Sequence, residues 1–197
     1  MSKAVLLSIK PQWCKLIANG KKTVDVRKTR PKLETPFKVY IYCTQNTPYN
    51  PVIPMMYEKE GGNIYIGGKT YAEFLTGKVI GEFVCDRIDY WNHHIHDDDT
   101  ITLERASELS LVSEDDLVQY ADLGHFYAWH ISDLEIYDTP FPLSWFIVEG
   151  NCNEENCHCC PYFERGDGWH FEDNCSMDCG RHPIFRAPQS WCYVEEE

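Results

Sequence analysis

The sequence predicts an α+β fold, in which short β-strands alternate with a few short helices and a cysteine-rich insert interrupts the chain near its end. Three observations lead there. Apolar residues alternate at period two in several short stretches. Helical spacing is confined to short segments closed by glycine. Seven of the ten cysteines fall between residues 152 and 192.

Composition narrows the class. A chain of 197 residues suits one domain, or one domain with an appended module. Its 43% apolar and 14% aromatic residues can fill a core. The apolar run Ala4 to Ile9 is too short for a signal peptide or a membrane span, and no later run approaches spanning length. The expectation is a soluble, cytoplasmic protein without a membrane partner. The net charge of −13 argues against broad binding to duplex DNA, which needs many cations on phosphates. That charge is uneven, however. Residues 1–38 carry ten Lys/Arg against two Asp/Glu, enough to favour one phosphate or nucleotide in a cleft. The same asymmetry also serves if the two parts simply pack together.

Taken in order, Ala4 to Ile9 reads as a first strand. Pro11 then suits the first turn of a helix, with Trp13, Leu16 and Ile17 on one face. Gly20 stops that helix, because it can take a left-handed backbone without a Cβ penalty. Lys22 to Arg27 follows as a strand. Val24 and Val26 point one way, and Thr23, Asp25 and Arg27 the other. After a basic turn, Phe37 to Cys43 is a strand with Val39, Ile41 and Cys43 on one side and Tyr40 and Tyr42 on the other. Residues 45–76 are rich in turn residues and read as an insertion, either a lid or a plain surface excursion, with one hairpin arm at Ile64 to Ile66. Lys78 to Tyr90 is the longest strand pattern. His93, His94, His96, Asp97, Asp98 and Asp99 offer metal-binding side chains, but without regular ligand spacing they read equally as a solvated loop. Ser113 is a helix N-cap with acidic residues behind it; Leu117, Tyr120 and Ala121 face the core and Gly124 ends the helix. Tyr127 to Asp138 is a strand with no cleanly apolar face, closed by Pro140, Pro142 and Leu143.

Two stretches carry a family resemblance. Gly20, Lys22 and Arg27 fill their places in the Gly-x-Lys-x-x-Glu-x-Arg signature of ASCH domains, relatives of the PUA RNA-binding fold, and Asp25 stands where that signature has Glu. The run from Tyr127 to Ser144 is similar to the last barrel strand and exit turn of bacterial and phage ASCH proteins, and Ala187 to Val194 resembles their tail. The resemblance implies a PUA-like (ASCH) small β-barrel flanked by short helices over residues 1–146, interrupted at 45–76. A cysteine-rich module would occupy 147–186, and a tail, 187–197, would return to the barrel.

It also implies a site. In a binding module, Lys22 and Arg27 would meet phosphate or a base edge, and Asp25 would orient Arg27 or accept a hydrogen bond from a base amine. Thr23 would contribute from the same face, and Lys10, Lys21, Tyr42 and Thr44 would form the rim. Substitution of Asp25 or Arg27 is then expected to abolish nucleotide or RNA binding while the fold survives. The alternative is a hydrolase. Some ASCH proteins are acetylcytidine amidohydrolases that use Lys, Thr and Glu, and others are described as ribonucleases. Lys22 matches the lysine, but Asp25 stands at the nucleophile position, Thr23 is displaced, and Glu108 lies near the region of the Glu without a motif match. Lys22 and Asp25 would then be the catalytic pair, with Asp25 a general base for water. The missing threonine favours binding.

In the insert, Cys157-x-x-Cys160 and Cys175-x-x-x-Cys179 have zinc-ligand spacing, and without a signal peptide such clustering points to metal more than to disulfides. The expectation is a zinc-ribbon-like insert with structural zinc, replacing a core that so short a segment cannot build. Cys152, His158, Cys159, His170 and His182 are spare ligands, and free thiols or disulfides remain the alternatives. A protein partner for this insert is a further reading.

Overall fold

The computed structural model describes residues 3–45, 65–66, 69–70, 76–94, 100–122, 124–149, 181–184 and 186–195. In chain order these form β1 (Lys3–Ile9), α1 (Pro11–Ala18), β2 (Val24–Arg27), β3 (Phe37–Cys43), β4 (Tyr65–Ile66), β5 (Lys69–Thr70), β6 (Lys78–Cys85) and β7 (Ile88–Asn92). Then come α2 (Leu103–Ser110), α3 (Glu114–Ala121), β8 (His125–His130), β9 (Ser132–Pro142), β10 (Ile147–Glu149), β11 (Arg181–Pro183) and β12 (Trp191–Glu195). Among the described residues no helix is long and apolar enough to cross a membrane.

Two sheets carry the fold. The larger has the order β12-β1-β3-β6-β9, and the smaller β2-β8-β7. β1 and β3 pair in parallel and every other neighbour in these sheets is antiparallel. The small pairs β4–β5 and β10–β11 form ladders of their own. The sequence-expected closed barrel is thus two sheets among the described residues. Besides the passages through α1 and through the turn after β2, the chain moves between them at two tight corners, from β6 to β7 through the exposed Asp86 and Arg87, and from β8 to β9 through Ile131. Lys78 to Tyr90 and Tyr127 to Asp138, each expected as one strand, are therefore two strands apiece. The second corner explains why the latter run shows no consistent apolar face: the core lies on different sides before and after it. Asp133, just past that corner, takes φ +45°, a left-handed conformation that a short polar side chain tolerates better than most.

Alternation fills three apolar clusters. Val5, Leu7, Ile9, Val39, Ile41 and Cys43 meet Cys14 and Ile17 of α1 and Trp129 of β8 between the two sheets. Their intervening neighbours Ala4, Leu6, Tyr40 and Tyr42 face the other way, against Leu143, Ile184 and Val194. The third cluster joins Val24, Trp91, Phe126 and Ala128 to α2 and α3. Central strands covered on both faces are apolar throughout, which is why β1 reads as a continuous run. The α3 N-cap stands as expected, Ser113 Oγ accepting from Asp116 N. The helix stops at Ala121, with Asp122 left-handed, and Tyr120 lies partly covered beneath Lys28 instead of in the core. The preceding helix, α2, has no counterpart in the sequence reading.

Cys157, Cys160, Cys175, Cys179, most of the 45–76 insertion, and His96 with Asp97–Asp99 lie outside the described residues. Among the described residues no three His, Cys, Asp or Glu side chains converge as metal ligands. Cys14, Cys43 and Cys85 are buried thiols.

Candidate functional site

The Gly20 turn aims the site. With φ +67° it lets the N–H groups of both Lys21 and Lys22 reach back to Leu16 O, at 2.9 and 3.0 Å. Lys21 is left exposed while Lys22 enters the protein, only 2% exposed. Its Nζ donates to Ser110 O at 2.8 Å, lies 3.8 Å from Asp25 Oδ1 and sits 5.1 Å from the centre of the Trp13 ring. Ser110 ends α2, so the ammonium meets one of the carbonyls left without a partner at a helix C-terminus, where the dipole also favours a cation.

Asp25 is 4% exposed and engages both cations. Arg27 Nε donates to Asp25 Oδ2 at 2.7 Å, and Arg27 Nη2 donates to Ser8 O at 2.8 Å. Nη1 makes only long contacts, 3.3 Å to Ser190 Oγ and 3.5 Å to Ser190 O. Lys22, Asp25 and Arg27 thus form one connected cluster that ties β2 to the end of β1, to the approach to β12 and to α2. Burial pushes the pKa of Lys22 down from its ordinary value; Asp25 opposes that shift and Arg27 adds to it. Across the ladder from Asp25 stands the fully buried Trp129, whose Nε1 has no hydrogen-bond partner among the described residues.

The remaining sequence candidates divide. Lys10, Lys21 and Thr23 are exposed and Thr44 is half-buried. Thr44 N donates to Ile9 O, which sets Thr44 beside the turn that carries Lys10. Tyr42 is not brought to the cluster: it packs on the far face of the five-stranded sheet, opposite to its neighbour Cys43. Glu108 is exposed on α2 and paired with Arg105. The partners that sequence reasoning missed are Ser8 O, Ser110 O and Ser190. Two of these are main-chain atoms, and no residue type announces a carbonyl. A second polar cluster was also missed. His130 Nε2 lies 2.7 Å from Asp89 Oδ2, and Arg87 Nε donates to Asp89 Oδ1 at 3.1 Å.

Neither a family model nor a curated relative matches the chain. Solved structures do. A serine-to-alanine variant of the ASCH protein from Zymomonas mobilis gives a TM-score of 0.53 at 16% identity, covering 98% of this chain and 89% of its own. A tyrosine-to-phenylalanine variant of that protein gives 0.49 at 20% identity, over 72% of this chain and 77% of its own. At such identity the likeness is one of fold, and the first of these structures carries it.

Proposed function

We propose that this chain, built on the ASCH fold, binds RNA or a nucleotide at the Lys22–Asp25–Arg27 cluster. One observation supports this most: two cations share one carboxylate in a place almost closed to water. A surplus positive charge held away from solvent is stabilised by an anion, and a phosphate supplies one. Arg27 Nη1 is the atom with capacity to spare, because contacts of 3.3 and 3.5 Å are weak and a phosphate oxygen can replace them. Exposed Lys21 and Lys28 flank the cluster in the chain and add attraction at longer range. Titration of uridylate and of short RNA, with salt varied, tests this. Binding is expected to weaken with salt, with a slope of about −0.7 per phosphate neutralised, and to weaken at least about tenfold in Arg27→Ala, the scale of one charge-assisted contact. No affinity in the wild-type chain, or full affinity in folded Arg27→Ala, overturns the reading.

A hydrolase is the second reading, and the lowered pKa of Lys22 is what favours it, since a lysine that yields its proton more readily can act as a base. Asp25 suits that role less, with both oxygens turned to cations. Assays of acetylcytidine deacylation and of RNA cleavage separate this reading from binding alone.

Structural zinc on Cys157, Cys160, Cys175 and Cys179 is proposed from their spacing. The antiparallel pairing of β10 with β11 holds the two ends of that stretch side by side, as a clamped module needs. Metal analysis in reducing buffer is expected to give about one zinc per chain; a value well below that removes the proposal.

A further inference from the structure

The inner face of the three-stranded sheet continues outward from Arg27. Cross-strand register sets Arg27 beside Tyr127 and Tyr127 beside Tyr90, with His125 opposite Asn92 in the next inward-facing row. Antiparallel partners share a face, so these side chains form one surface. The three rings are in mutual contact: Tyr90 and Tyr127 have centroids 5.3 Å apart, and His125 lies 5.5 Å from each. Asn92 Nδ2 donates to Tyr90 Oη at 2.7 Å and fixes that ring. Both tyrosines are half-buried and His125 is exposed, so the cluster is open to a ligand at its outer end. The basic turn after β2 follows directly on Arg27 in the chain. Thr29 accepts from Trp191 Nε1 and Lys32 N donates to Tyr193 Oη, which anchors that turn over β12. The turn carries exposed Lys28, Arg30 and Lys32 against a single carboxylate, Glu34.

We propose that Tyr127, Tyr90 and His125 form a stacking shelf for the bases of single-stranded RNA whose phosphate meets Arg27. This rests on the phosphate reading above and deepens it, because the preferred ligand becomes an oligonucleotide and not a free nucleotide. A ring surface set beside an arginine, with a basic turn next in the chain, fits a chain of alternating bases and phosphates. Base–aromatic stacking is tolerant of sequence, so the shelf selects for length and single-strandedness.

The experiment titrates the full chain with uridylate, triuridylate and hexauridylate, and repeats it with His125→Ala, Tyr90→Ala and Tyr90→Phe. Affinity is expected to climb with length, and the gain from monomer to hexamer to shrink roughly tenfold in each alanine variant. Tyr90→Phe, which keeps the ring and loses only the Asn92 bond, should retain most of that gain. It separates lost stacking from a damaged fold, and exposed His125 gives a variant with little structural risk. If uridylate binds but hexauridylate binds no better, or if His125→Ala keeps the full gain, the shelf is wrong while the phosphate site stands. If a duplex of equal length binds as tightly as the single strand, the shelf is likewise overturned. If neither uridylate nor hexauridylate binds, the phosphate site itself fails.

Discussion

Among the described residues Asp25 is the one carboxylate paired with Lys22 and Arg27, and its removal should be felt first in stability. Asp25→Ala leaves Lys22 and Arg27 buried without their carboxylate. Breaking a buried pair in this way costs about 3–5 kcal/mol, because the remaining charge stays desolvated. Urea unfolding should therefore show a large drop in midpoint, with Asp25→Asn milder because the amide oxygen still accepts a hydrogen bond. This revises the sequence-based expectation that the alanine variant would lose binding and keep its fold. Alternation correctly set Asp25 and Arg27 on one face. It says which way a side chain points, not how deep the protein is there. Depth comes from Ser8, Ser110 and Ser190, brought in from three distant parts of the chain.

At the scale of elements, Gly81 shows how closely β6 and β9 approach. A Cβ on Gly81 would stand 2.3 Å from Glu135 O and 3.1 Å from Ile136 Cα, both main-chain atoms that cannot swing aside. The pairing is irregular on both sides of this residue. Gly81→Ala should therefore cost about 1–3 kcal/mol as the strands part, read as a lowered melting temperature, whereas an exposed helix position such as Glu104 should tolerate alanine with little change. Strands up to β3 were legible because each begins and ends within one sheet. The two corners were not, because a bend that moves a strand from one sheet to another leaves period-two alternation intact on both sides. Arg87 is as polar as any outward-facing strand residue, so nothing marked the break. α2 escaped notice because its single full-depth apolar residue is Ala106, too small to register as a stripe. Its cap was visible in principle, since Thr102 Oγ1 accepts from Arg105 N.

The whole molecule joins a basic first segment to an acidic remainder around a core that also holds thiols and phenols, and this gives it a pH signature. Burial pushes the Cys85 thiol from its ordinary 9.0 up to about 12, with Asp86 adding to the effect, and burial alone takes Cys192 up to about 11. Cys14 is raised in the same direction, again chiefly by burial. Tyr42, Tyr120 and Tyr137 are raised too, burial leading in each. Each of these groups gives up its proton sooner in the unfolded chain than in the folded one. Between the two values the folded state holds more protons, so stability falls as pH rises. Lys22 works the other way. Its folded value is lowered, the unfolded chain keeps the proton longer, and stability rises with pH in the window below its ordinary 10.5. Six groups against one predict a net loss that sets in near pH 9.0, where the unfolded thiols begin to ionise. Urea midpoints measured in reductant should fall steadily from there to about 11, the folded value of Cys192. Cys85→Ala should flatten part of that fall, because it removes a thiol that holds its proton from 9.0 up to about 12 in the folded chain. A midpoint that holds steady or rises across this range would mean that water reaches these side chains and that the sheets do not close over them.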